Sequence, residues 1–338
     1  MANNRRLFAD EYIKTVSGAG EIFNIPEIET GEKPALRFYS LDNVFLLGPG
    51  IVIGKDSIIL KDSISSDTHI DAILARVSEG ASHLDFPYWL IEGEFVSLLG
   101  PWCDPFWHWM MEYLPKAIIA EVFGFKGQYL ISPTAAPYVI ESLLLIGVAI
   151  ERIVVFDHSG GLLISKLYMP ERFTSESGMA YVSILRILRQ HLLKNVADAV
   201  ASPGRVYISR KFAGNKRSVS NESELTTLLD EFGFQAVLME KMSLEEQIRL
   251  MANTTGLVGA NGAGMFHSLL MPESSFVMEL FSPHYTNIVM IGAMELLHHS
   301  YYMITSVHSG ERASGENIEA PLRLIRATIR NCLHNGQL

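Results

Sequence analysis

Cysteine is scarce: Cys103 and Cys332 are the two present in 338 residues. They lie too far apart in sequence to suggest a disulfide framework, so a reducing compartment is the default and both read as small buried hydrophobes. Basic charge is also in deficit, with 27 Lys and Arg against 37 Asp and Glu for a formal net charge of −10. A phosphate-backbone binder needs the opposite balance, which argues against a nucleic-acid partner. No apolar run approaches the ~20 residues of a membrane span. Residues 44–54 are interrupted by Gly48-Pro49-Gly50, residues 139–150 contain Glu141, and residues 1–10 lack the apolar core of a signal peptide. The expectation is a cytoplasmic protein, with peripheral attachment at the inner face of a membrane left open. Internal repeats and low-complexity segments are missing too.

What remains is an ordinary globular composition, 48% hydrophobic and 19% charged, in a chain long enough for two domains. Residues 1–35 give no firm element. Residues 45–60 read as short strands separated by Gly48-Pro49-Gly50 and Lys55-Asp56, and residues 89–99 as another. Asp104 suits an N-cap and Pro105 a first helical position, so a helix is predicted to start there and to kink or restart at Pro115. His108 and Glu112 stand four apart on one face of it, amid Trp107, Trp109 and Met111. Such a pair is either a simple helical ion pair or a titratable site.

From residue 128 onward strands alternate with helices, which predicts an α/β layer with a largely parallel sheet. A helix with apolar period through Ile184, Leu185, Leu188, Leu192 and Val196 spans residues 178–200, and Ala201-Ser202-Pro203-Gly204 breaks it. The inter-domain junction is placed there. The α/β rhythm then restarts with a strand at residues 205–209, a helix capped by Asn221, a strand at 234–239, and a helix at 244–253 opened by a Ser243/Glu246 capping box. It continues with strand Leu257-Val258, a turn through Gly259, Asn261, Gly262, Ala263 and Gly264, a helix from about Met265, and a strand at 275–280 carrying Glu279. A helix near 288–297, a strand at 301–305, a polar loop at 309–317 and a closing helix at 321–333 follow.

Two features of this second half carry chemistry. Bare backbone in a glycine turn at a helix start favours an anion, although the same turn also serves packing alone. The glycine spacing is not the G-x-G-x-x-G order of a dinucleotide fold, which counts against a nicotinamide-dependent oxidoreductase. Arg210, Lys211, Lys216 and Arg217 fall within eight residues after the strand at 205–209. As a solvated loop this cluster means little, but guanidinium groups bind phosphate oxygens bidentately, and both segments follow strand C-termini and so face one crevice.

The segments RVYISRKFAGNKRSVSNESEL and LEEQIRLMANTTGLVGANGAGMFHSLLMPESSFVMEL, together with FWHWMMEYLP, resemble the glycosyltransferase 61 family. The matching stretches cover about a third of the chain, in the family's order and rough spacing. Asn261 and His267 stand exchanged relative to the His and Asn that the family commonly has. The resemblance implies a GT-B architecture of two Rossmann-like α/β domains facing across a cleft. The boundaries expected are an acceptor-side domain at 1–175, a connecting helix and linker at 176–204, a nucleotide-sugar domain at 205–310, and a closing loop and helix at 311–338. It implies inverting transfer from a UDP-sugar to a hydroxyl of a glycan or lipid-linked glycan, as in capsular or other surface polysaccharide synthesis. On that basis Arg210, Lys211 and Arg217 neutralise the diphosphate. The backbone of Gly262, Ala263, Gly264 and Met265 approaches it, with Asn261 and His267 beside it, and Glu279 holds the ribose. His108 or Glu112 is the general base. No cofactor is implied, and the lack of an Asp-x-Asp pair suggests metal independence. The alternative is a nucleotide-sugar-binding scaffold that has lost catalysis.

Overall fold

The computed structural model describes residues 22–23, 36–47, 50–54, 63, 88–100, 102–156, 161–170, 182–194, 204–211, 217–282, 287–306 and 318–338. The strand expected at 57–60, the polar loop at 309–317 and Lys216 lie outside them. The chain divides into two compact units, residues 1–174 and 175–338.

The first unit holds a seven-stranded mixed sheet. Its strands are β1 (Ile22–Phe23), β2 (Leu36–Leu47), β3 (Ile51–Ile53), β4 (Tyr88–Ser97), β5 (Gln128–Ile131), β6 (Ile153–Val155) and β7 (Gly161–Pro170). The order is β1-β2-β7-β4-β5-β6, with β3 paired to β2. The β7-β4-β5-β6 portion is parallel, while β2 runs antiparallel to β7, β1 and β3. The parallel sheet expected from residue 128 onward holds for β5, β6 and β7 alongside β4, and the earlier strands β1 to β3 add an antiparallel edge. One helical rod, α1, leaves the C-terminal end of β4 in three stretches: Phe106–His108, a π turn Trp109–Tyr113, and Leu114–Val122. Helix α2 (Pro137–Leu145) follows β5.

The second unit is a five-stranded, fully parallel sheet. Its strands are β8 (Arg205–Ile208), β9 (Gln235–Val237), β10 (Gly256–Ala260), β11 (Phe276–Phe281) and β12 (Ser300–Thr305), in the order β12-β11-β10-β8-β9. Counted from its own first strand, the order is 2-1-3-4-5, a doubly wound sheet whose winding reverses between β8 and β10. Every residue of β10 and β11 is buried, as central parallel strands covered on both faces require. One face packs Tyr207, Val258, Phe276, Met278 and Leu280 against α4 (Glu222–Asp230) and α7 (Leu322–His334). On the other side α3 (Val182–Lys194) packs against α5 (Leu244–Ala252), α6 (Ile291–Leu296) and a 3-10 helix at Ala263–Leu270. That 3-10 helix replaces the α-helix expected from Met265, and α3 belongs to this unit.

Candidate functional site

Doubly wound sheets bind ligands outside the strand C-termini where the winding reverses. Here that point is flanked by Ser209-Arg210 after β8 and Asn261-Gly262 after β10. Gly262 adopts φ 156° and ψ −172°, a region open essentially to glycine alone. A Cβ there would sit 2.0 Å from Nη1 of Arg210, so the Arg210 guanidinium lies directly on the bare Gly262 backbone. Nearby, Gly259 and Gly264 are closely packed: a Cβ on the former would meet Met265 Sδ at 2.8 Å and one on the latter Ile208 at 3.3 Å.

Arg210 is buried, and loss of hydration followed by repulsion from Arg217 pushes its pKa down to about 10. Two guanidinium groups at one strand-end crevice, one of them buried, make a local positive site in an otherwise acidic protein. Arg217 is fixed by a hydrogen bond from Nη1 to Asn261 Oδ1 at 3.3 Å. Asn261 in turn donates from Nδ2 to Glu279 Oε1 at 2.6 Å and to the Asn287 carbonyl at 2.8 Å. Tyr301 OH donates to the other Glu279 oxygen at 2.6 Å. Burial pushes the Glu279 pKa up to about 7 against the pull of Tyr301, Asn261 and Arg217.

Glu279 is 2% exposed and both its oxygens accept hydrogen bonds inside the protein, one of them from Asn261. His267 is buried under the 3-10 helix, with Nδ1 2.8 Å from the Gly264 carbonyl and Nε2 2.8 Å from Gln247 Oε1. The Gln247 amide is oriented by its own donation to the Met239 and Met242 carbonyls. Two acceptors around one imidazole favour its charged form, but the loss of hydration outweighs the Gly264 carbonyl and holds its pKa down to about 4. His267 therefore anchors the turn from inside. Of the two exchanged residues, Asn261 stands at the crevice and His267 in the core.

Lys211 is exposed, and its backbone N–H donates to Ser209 Oγ at 3.2 Å. Ser209 Oγ and Tyr207 OH both donate to Glu222 Oε1, at 2.7 and 2.9 Å. Glu222 thus fixes the loop that presents Arg210. Neither it nor Tyr301 was legible as a site residue, because each acts through another element.

In the first unit, His108 and Glu112 meet as their spacing predicts, Nδ1 lying 3.2 Å from Oε1. The helix around them departs from expectation. Asp104 does not cap it, since the N-cap is Pro105 and has no side-chain bond. The Asp104 carboxylate instead accepts from Thr134 Oγ1 at 2.7 Å, and Tyr138 OH donates to its carbonyl. At Pro115 the helix restarts as expected: a new α-helical stretch opens at Leu114 with the proline in its first turn, after a wide turn in which the Leu114 N–H reaches the Trp109 carbonyl. Trp109 and Met111 point into the core. The imidazole is flanked by Trp107, edge-on with centroids 5.0 Å apart, and by Trp102, stacked at 6.0 Å and 24°. With Nδ1 turned to the carboxylate, Nε2 is the nitrogen left for a substrate.

A doubly wound sheet with two arginines and a bare glycine backbone at its switch point makes this unit an α/β fold with a positively charged crevice at its strand ends. The chain belongs to the glycosyltransferase 61 family, whose profile matches residues 106–278, just over half its length. It is similar to the EGF domain-specific O-linked N-acetylglucosamine transferase of Drosophila melanogaster, at 34% identity over 79 residues, 22% of this chain and 15% of that protein. It is also similar to the protein O-linked-mannose beta-1,4-N-acetylglucosaminyltransferase 2 of Canis lupus familiaris, at 33% identity over 100 residues, 27% of this chain and 17% of that one. The matched stretch spans less than a fifth of either relative. Glycosyl transfer is the chemistry that family and relatives share.

Proposed function

We propose that the protein is an inverting glycosyltransferase that takes a sugar from a UDP-sugar and delivers it to a hydroxyl of a glycan acceptor, in the synthesis of a capsular or other surface polysaccharide. The observation that carries this reading is the Arg210 guanidinium laid on the Gly262 backbone at the switch point, with Arg217 held beside it by Asn261. Paired guanidiniums complement a diphosphate bidentately and offset the charge that develops on it as it leaves.

Inversion takes one in-line displacement. The acceptor hydroxyl gives its proton to His108 Nε2 as its oxygen bonds to the anomeric carbon. The bond from that carbon to the diphosphate oxygen breaks, and its electron pair leaves with UDP against Arg210 and Arg217. Glu112, bonded to Nδ1, orients the ring and stabilises the imidazolium that forms. The second unit binds the donor and the first supplies the base, the division of labour of a GT-B enzyme, which is part of the same proposal. Neutralisation by arginine makes a metal unnecessary on this reading, and a site of action at the inner membrane face suits a lipid-linked acceptor.

Titration of UDP by calorimetry tests the proposal. Arg210→Ala and Arg217→Ala should each weaken UDP about 10- to 100-fold, the worth of a charge-assisted hydrogen bond. Wild-type protein that binds no uridine nucleotide, or variants that bind it unchanged, would refute it.

A further inference from the structure

Beside the His108–Glu112 pair the chain makes an uneconomical choice. The Cys103 N–H donates to the Gly100 carbonyl at 3.1 Å, closing a four-residue turn with Trp102 in third place. Trp102 has φ +66°, and a positive φ at the third position of a turn is ordinarily taken by glycine or asparagine. For a bulky residue it is a strained conformation. The strain does not serve burial, since Trp102 is 59% exposed.

The turn is also clamped. A Cβ on Gly100 would lie 2.1 Å from Tyr113 OH, and one on Gly50 would lie 2.3 Å from the Leu99 carbonyl, so the chain leading into the turn is pressed between Gly50 and α1. What this rigid, strained turn achieves is to hold an indole against the imidazole of His108. Centroids 6.0 Å apart at 24° make an offset stack, so the imidazole covers only part of the indole. The remainder is an open, electron-rich aromatic face beside the nitrogen that Glu112 leaves available.

We propose that Trp102 is the acceptor platform, and that the acceptor is a carbohydrate. A pyranose whose axial hydrogens share one face packs those C–H bonds on the indole while a hydroxyl of the same ring reaches His108. The negative face of the ring quadrupole attracts the polarised C–H bonds, and a rigid aromatic side chain loses little entropy on binding. A serine or threonine hydroxyl of a polypeptide has no such face and gains nothing from the platform. This inference rests on the glycosyl-transfer reading above and assigns the side chain that holds the glycan acceptor named there.

The test uses the full chain, a glycan array of defined oligosaccharides in saturating UDP, and calorimetry of the best ligand against wild type, Trp102→Gly and Trp102→Phe. Glycine suits the backbone, so Trp102→Gly should melt within about 2 °C of wild type while losing at least about tenfold in glycan affinity, the loss typical of an aromatic anchor. Trp102→Phe should recover most of that affinity. Equal glycan binding by Trp102→Gly, a glycan-blind wild type that still binds UDP, or a Trp102→Gly melting point lower by many degrees would each overturn the platform. Failure of wild type to bind UDP would instead strike the donor assignment, while a Trp102-dependent glycan signal would survive it.

Discussion

Glu279 shows how one buried carboxylate shapes both the site and the stability of its unit. Its pKa is pushed up to about 7 from the ordinary 4.5, so between those values the native state holds a proton that the unfolded chain releases. Its contribution therefore falls as pH rises through that window, by on the order of 3 kcal/mol. His267, pushed down to about 4 from 6.5, does the reverse: below 6.5 the unfolded chain takes up a proton that the native state refuses. That contribution grows as pH rises from 4 to 6.5, and the depressed pKa of His299 has the same sign. The two slopes oppose each other between pH 4.5 and 6.5. Glu279→Gln removes one of them, so its melting temperature should climb more steeply across that range than that of wild type; parallel curves would contradict the assignment. His108→Ala acts differently, and should lower turnover by about 10²- to 10⁴-fold, the usual worth of a general base, with UDP affinity intact. The position of Glu279 at a strand end was legible in the sequence, but its burial was not. Its partner Tyr301 lies on β12 diagonally across the ladder, opposite Val277 and not opposite Glu279, and such pairings depend on register.

Local chemistry was legible wherever it decides the element by itself. Ser243 and Glu246 form the reciprocal capping box that their spacing predicts, opening α5. Asn221 carries an equally good signal and does something else. It occupies the N-cap of α4 without capping it, and exchanges two hydrogen bonds with the backbone of Ala320, 99 residues away. A tertiary partner outcompeted the local one. Pro115 is the sharpest case. Its missing N–H calls for an adjustment, as the sequence requires, and the chain has a wide turn before it and a fresh α-helical stretch from Leu114. That wide turn contains Glu112 and begins just after His108, so the proline and the pair share one stretch of helix. Pro115→Ala restores a donor and lets the rod tighten toward a regular α-helix. Turnover measured at saturating donor should fall with UDP affinity unchanged, and full activity in this variant would show that the wide turn is incidental to the pair.

At the scale of the whole chain, the two-part organisation and the alternation of strand and helix could be read from composition and periodicity, whereas strand order could not. That Arg210 lies on Gly262 depends on β8 pairing with β10, a contact that no local pattern encodes. Each unit has its own sheet and core, and the arginines and the glycine all lie in the second. UDP at a hundred times its Kd should therefore add about 2.7 kcal/mol to the unit that binds it. If the units melt separately, calorimetric scans should resolve two transitions, of which UDP raises one and leaves the other in place. Equal displacement of both would mean that the units unfold together.

The reversal of winding between β8 and β10 has a practical corollary. The chain that runs from Arg210 to Gly262 forms a single excursion, out through α4, β9 and α5 and back, so its outer bends are spliced at a distance from that crevice. Lengthening the connection around Glu231 and Phe232, or grafting a tag there, should be tolerated as a change of upholstery, while a single residue inserted between Ile208 and Arg210 would shift the guanidinium out of phase with the backbone it rests on.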